Sequence, residues 1–393
     1  MRFLVYLFPL LINIVAGGTF FITAYRLSKA GVNSTLVGAT LAAWAIPYAV
    51  SSLLVGKFTH EKNAAKLVIC GAFAIALDSL AFLIFDGLYM QFLWLAVNGV
   101  CFALYCTPFQ VFSKSLETTG RKTTLLTGAV HSASLYTASW SLGIAIGPFI
   151  FGFLSYKTGF SLNALFGILI GVSLWAIDCT LRKKSVSGNS VTEEETAPAE
   201  LSSGEENPFP DMVMAGWLLG LAVSISVTIA RTMIPNRAVA LDFSRTDAAM
   251  ILCTLSVVQS LFALSMYHSK KWMYKVLPVA VLGVCGVIAV MLFGLCTDRI
   301  LFYAGAVIYG IFSGGSYYAL VFHSLAHPTK SAKYVAVNEA VVGISNITAP
   351  TLAGYLVLLT GNTGTGFLMA GGSILILHLI IGFLLLRIRK SIA

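Results

Sequence analysis

Apolar residues fall in twelve long blocks along the chain, near 3–24, 36–55, 67–85, 90–111, 130–154, 160–181, 212–230, 248–266, 276–295, 300–321, 334–358 and 367–386. A helix needs about 20 apolar residues to cross a hydrocarbon core of about 30 Å. Each block is therefore predicted to be a transmembrane helix. The first block, with Arg2 ahead of it, is longer than the apolar core of a signal peptide and is followed by eleven more, so it reads as a retained span. One long polar stretch, 182–211, interrupts the pattern and carries seven of the sixteen acids together with Ser, Pro and Gly. Such a composition predicts a disordered tether. The expected organisation is an N-terminal six-helix bundle over 1–181, a linker over 182–211 and a C-terminal six-helix bundle over 212–393.

Composition agrees with lipid as the main solvent: 58% of residues are hydrophobic, 10% are charged, and the mean hydropathy is +0.86. The net charge of +9 changes the picture only through its placement. With the amino terminus on the cytoplasmic side, 18 of the 25 Lys and Arg residues fall on cytoplasmic segments, as the positive-inside rule requires. Both termini and the tether are then cytoplasmic, in a cell (inner) membrane. The same placement accounts for the basic charge without nucleic acid. The seven cysteines are scattered and form no C-x-x-C pair, so neither a disulfide framework nor a metal site is expected.

The two halves echo each other. Pro148, Gly152, Thr158 and Gly159 in and after the fifth block recur as Pro350, Gly354, Thr360 and Gly361 in and after the eleventh, at one offset of 202. His60 and His268 follow blocks 2 and 8 in similar settings, and Gly99 and Gly310 occupy similar positions. Several matches in one order point to a duplicated six-span unit.

With twelve spans, a central loop, and a Gly143, Gly147, Pro148, Gly152 helix echoed at Pro350, the chain resembles the major facilitator superfamily over nearly its whole length. The superfamily signature after span 2 is matched by Gly56 and Lys66, while His60 stands where an Asp belongs and Asn63 where a second Gly belongs. This resemblance implies an all-α fold of two pseudo-symmetric bundles and alternating access to a central site. It implies that spans 1, 4, 7 and 10 line the cavity and that spans 3, 6, 9 and 12 face lipid. It also implies hinge or gate roles for Gly56, Gly147, Pro148 and Pro350. No Walker A, G-x-S-x-G or H-E-x-x-H sequence is present. A non-enzymatic secondary active transporter, without cofactor, is the leading expectation. The partners expected are a small organic solute and membrane lipids, with the protein a monomer. A nontransporting sensor or scaffold and a lipid translocase are the alternatives.

Candidate site residues follow from helical spacing. Gly220, Ser224, Thr228 and Arg231 share one face of span 7, and that face ends in a cation. Arg231 either snorkels to water or meets the solute. Glu339, Gly343, Asn346 and Pro350 share a face of span 11. Three readings of Glu339 stand open: an ion pair with Lys57 or Lys114, a proton-coupling group, or a solute contact. His131 can titrate near neutral pH or pack as a neutral residue. Asn13, Trp44, Tyr48, Asn98, Tyr105, Tyr317 and Tyr318 lie at depths that suit a cavity wall, where rings give apolar area and polar tips fix orientation. Packing serves each of them as well singly. Asp78, at the centre of span 3, has no role assigned by sequence.

Overall fold

The computed structural model describes residues 2–117, 125–186, 212–266, 271–325 and 331–392. Among them are twelve α-helices: α1 Arg2–Lys29, α2 Ser34–Phe58, α3 Glu61–Ile84, α4 Met90–Glu117, α5 Leu125–Phe153, α6 Tyr156–Val186, α7 Val213–Ala240, α8 Arg245–Ser265, α9 Val276–Leu295, α10 Arg299–Leu325, α11 Ser331–Thr360 and α12 Thr365–Ile392. All twelve are long and apolar enough to cross a membrane. Helices run past the predicted blocks at many ends because polar turns still satisfy the backbone ladder outside the apolar stretch. The tether predicted over 182–211 lies largely outside the described residues.

Pairing repeats with a shift of six helices. In the first half α1 packs on α5, α2 on α4, and α3 on α6; in the second α7 packs on α11, α8 on α10, and α9 on α12. Exposed apolar stripes run along the four peripheral helices, as in Phe73, Leu77, Leu80 and Ile84 of α3 and Leu375, Ile376, Leu379 and Phe383 of α12. Leu165, Leu169 and Val172 of α6 and Leu277, Val281, Val284 and Ile288 of α9 continue the belt. Side chains at steps of three and four share a helix face, and apolar area this extensive is tolerated only against lipid or another protein.

The halves meet along two seams of different character. On one side α5 and α8 are joined along their whole length. Ser134 Oγ donates to the Ala263 carbonyl (2.6 Å), Ser260 Oγ to Ala138 (2.9 Å), Gln259 Nε2 to Ser141 Oγ (2.6 Å) and Thr246 Oγ1 to Gly152 (3.2 Å). On the other side α2 and α11 approach backbone to backbone at the end remote from the chain termini. There a side chain at Gly38 would strike the Pro350 carbonyl, and one at Gly354 would strike the Ser34 carbonyl. The absence of Cβ atoms permits this approach. Ser34 Oγ also donates to Asn236 Oδ1 (3.3 Å), and Asn236 Nδ2 to Ser28 Oγ (3.4 Å), which ties α1, α2 and α7 at the same end. No residue of α2 beyond Ala45 is buried. The two halves thus form a wedge, closed at one end and open toward the termini.

Pro148 and Pro350 are both buried. Gly143 and Gly147 let α5 approach the α1 backbone at Leu10, Ile14 and Gly18. Gly56 is exposed and meets only Thr107. In the loop after α2, Asn63 Oδ1 accepts from the His60 backbone N–H (2.8 Å) and Asn63 Nδ2 donates to the Phe58 carbonyl (2.7 Å). The two residues that depart from the superfamily signature therefore build the turn between α2 and α3.

Candidate functional site

Glu339 organises the space between the halves. Its side chain is exposed, yet the carboxylate lies within electrostatic reach of Tyr48 on α2, Cys106 on α4, Tyr136 on α5 and Tyr317 on α10. Glu339 is thus an exposed acid with four other helices, drawn from both halves, within its electrostatic reach. Among the described residues no cation pairs with it, so the Lys57 partner considered from sequence is not engaged. Lys114 and His131 lie outside the residues whose side chains are described.

Arg231 lies within electrostatic reach of Tyr317 and Tyr309. It is half-buried and also borders a cleft toward the closed end, with Phe20, Phe21 and Pro148. The free volume there is about 10 Å³, room for roughly one water. Tyr317 therefore connects a cation and an anion, and its ring packs edge-on against Trp140 of α5 at 5.0 Å and 90°. That contact spans the two halves. Ser224 and Thr228 of α7 are buried where α7 packs on α11. Thr228 Oγ1 returns its proton to the Ser224 carbonyl (2.9 Å) and reaches the Ser345 carbonyl of α11 (3.4 Å). Asn346 is half-buried and has no hydrogen bond to a described residue.

Trp44 and Tyr48 stack at 4.6 Å and 11°, forming an aromatic wall one turn apart on α2. Phe20 and Phe102 brace Trp44 edge-on. The indole N–H donates to Asn98 Oδ1 (3.1 Å), and Asn98 Nδ2 donates to Asp78 Oδ2 (2.6 Å). Asp78, 3% exposed, so has a partner on α4 and points away from the stripe of α3.

Other sequence candidates are spread elsewhere. Tyr318 turns its ring away from Tyr317, onto Trp272 and Phe322, because neighbouring residues on a helix project about 100° apart. Tyr105 is buried against Phe109 at the seam of α3 and α4, where Gly71 meets its backbone. Asn13 caps the carbonyl of Pro9 through Nδ2 (2.7 Å). Tyr136 and Trp140 were not singled out by sequence; they sit four residues apart just ahead of the Gly-Pro run, a spacing that places both on one face of α5. Arg237, near the end of α7, is buried and donates to Thr363 Oγ1 (3.0 Å) and the Cys296 carbonyl (2.9 Å).

The model of the Major Facilitator Superfamily matches residues 10–329, and the chain belongs to that superfamily. It is an integral, multi-pass membrane protein. The MFS-type transporter SLC18B1 of Mus musculus is 28% identical over 45% of this chain and 42% of its own length. The Homo sapiens protein of that name is 25% identical over 44% and 41%. The match thus spans less than half the length of these relatives. Among solved structures, the nucleoside transporter NupG superposes with a TM-score of 0.64 at 13% identity, covering 96% of this chain and 97% of that one. The human organic anion transporter MFSD10 gives 0.64 at 12%, covering 96% and 98%. At such identities the likeness is one of fold.

Proposed function

We propose that this chain is a secondary active transporter that moves a small organic solute across a membrane by alternating access. One observation carries the reading: Glu339, exposed and without an ion-pair partner among the described residues, stands within electrostatic reach of helices of both halves. Glu339 lies in the first turn of the apolar span Val337–Thr360, and ionisable residues within spans persist where they meet water, ions or solute. Arg231 supplies a charge of opposite sign, and Trp44, Tyr48, Tyr136, Trp140 and Tyr317 supply flat apolar area with polar tips, a combination suited to an organic molecule. Proton coupling is assigned to Glu339, since among the described residues it is an exposed acid between the halves without a fixed cation.

The uneven seams support the cycle. Separating α2 from α11 at the closed end, while α5 and α8 keep contact, would carry the site from one side to the other. The concentration of basic residues toward the termini supports a cytoplasmic orientation for the open end of this conformation. The two structural neighbours are described by unlike cargo, nucleosides and organic anions, so fold alone does not select the solute. Counterflow in proteoliposomes tests the reading. Flux of at least one member of a broad panel of charged and neutral solutes is expected, and binding without flux across the panel would overturn it.

A further inference from the structure

A second cavity lies at the closed end, away from the central site. It has a free volume of about 390 Å³ and is lined by Arg26 and Lys29 of α1, Tyr156 at the start of α6, and Arg245 at the start of α8, with Tyr25 beside them. Three cations converge on one space, and no carboxylate lines it. Among the described residues none of the three is in an ion pair; the nearby Asp247 is engaged by Arg299 instead (3.3 Å). Arg26 is held in place: its guanidinium lies 4.1 Å from the centre of the Tyr156 ring, and Nη2 donates to the Asp86 carbonyl (2.9 Å). Tyr156 is held in turn by a hydrogen bond to the Phe82 carbonyl (3.1 Å). The other terminal nitrogen of Arg26, Nη1, is buried without a partner.

Three like charges repel one another, and a buried guanidinium N–H without an acceptor costs about 1–3 kcal/mol, more for a charged group. Positive charge is also scarce at this end, which holds seven of the 25 Lys and Arg residues, so its concentration here works against both self-repulsion and the charge bias of the chain. An oxyanion relieves the repulsion among the three cations. Arginine presents a planar fork that matches phosphate oxygens, and lysine adds a mobile point charge. The volume falls in the range of about 300–1,000 Å³ found for organic ligands, larger than a bare ion requires.

We propose that this cavity binds the phosphate of an organic anion, either a phospholipid headgroup or a soluble phosphate ester. Arg26 and Lys29 belong to the first half and Arg245 to the second, so a bound anion bridges them and holds this end shut. The binding claim is independent of transport; the clamping claim rests on the alternating-access reading.

The test uses the purified full chain. Thermal unfolding is followed in detergent with glycerol 3-phosphate or glycerol, and in nanodiscs of phosphatidylcholine with or without phosphatidylglycerol. A rise of a few degrees with glycerol 3-phosphate identifies a soluble source, and a rise confined to phosphatidylglycerol nanodiscs identifies lipid. Either rise should be lost in Lys29→Gln/Arg245→Gln, with at least tenfold weaker affinity, while Lys29→Gln alone loses part of it. No rise in either arm, or an equal rise in the double variant, overturns the site. For the clamp, Asn236→Cys at the closed end is labelled with a maleimide and read peptide by peptide. The active probe should slow labelling several-fold; an unchanged rate with bound probe overturns the clamp while leaving the transport reading to its own flux test.

Discussion

Trp44 and Asn98 share a hydrogen bond of 3.1 Å from indole to amide oxygen, and through it an aromatic wall of the cavity is fixed to a buried acid in α3. The amide of Asn98 is used at both ends, so its two neighbours depend on one residue. Asn98→Ala should lower the apparent Tm, because a buried polar group stripped of its partner costs about 1–3 kcal/mol. Asp78→Asn keeps an acceptor oxygen in the same place and should cost less than Asn98→Ala. Thermal unfolding of both variants in detergent decides this. Equal losses would mean that the carboxylate charge itself matters to the fold.

The crossing of α2 and α11 gives a second expectation. A methyl group at Gly38 or Gly354 meets backbone carbonyl, which cannot swing aside. Gly38→Ala and Gly354→Ala should each disfavour the present closed end, at about 1–3 kcal/mol for overpacking, and raise the accessibility of residues such as Asn236. Gly343→Ala in the same helix is the control: nothing lies within 4 Å of its added Cβ, and it should leave accessibility unchanged. Labelling of introduced cysteines at the closed end provides the measurement.

For Glu339, removal of the charge separates binding from coupling. Glu339→Gln should still exchange solute across a liposome membrane yet fail to concentrate it against a gradient. Retained accumulation would exclude the carboxylate as the coupling group.

Tyr317 lies within electrostatic reach of both Arg231 and Glu339 and packs against Trp140 of the other half. Tyr317→Phe keeps the ring contact and removes the hydroxyl, so folded yield should be unchanged while solute affinity falls. Arg231→Ala should reduce transport by tenfold or more, the equivalent of about 1.4 kcal/mol, with normal membrane insertion. Wild-type uptake in both variants would remove this pair from the site.

The membrane fold was legible because it follows from block length and composition, which a helix in lipid must satisfy segment by segment. The stripe of α7 was legible for the same local reason: Ser224, Thr228 and Arg231 share a face whatever surrounds them. Contacts between distant segments were not. Asp78 and Asn98 lie 20 residues apart on different helices, and nothing local marks them as partners. Tyr317 and Tyr318 look alike in sequence and differ only in which neighbour each meets, Trp140 or Trp272. Tyr136 and Trp140 were overlooked because the Gly-Pro run beyond them reads as packing, and an aromatic face becomes a wall only when the opposite half leaves it uncovered.

The seam of α5 and α8 relies on short hydroxyl and amide groups, three of them seated on main-chain oxygens across the boundary. Main-chain oxygens recur at every turn regardless of side-chain identity, and interhelical hydrogen bonds in lipid average only about 0.6 kcal/mol. A joint made this way behaves like an oiled axle: each grip is light, a slipped grip finds another hold, and large tilting of one block against the other demands no single expensive rupture.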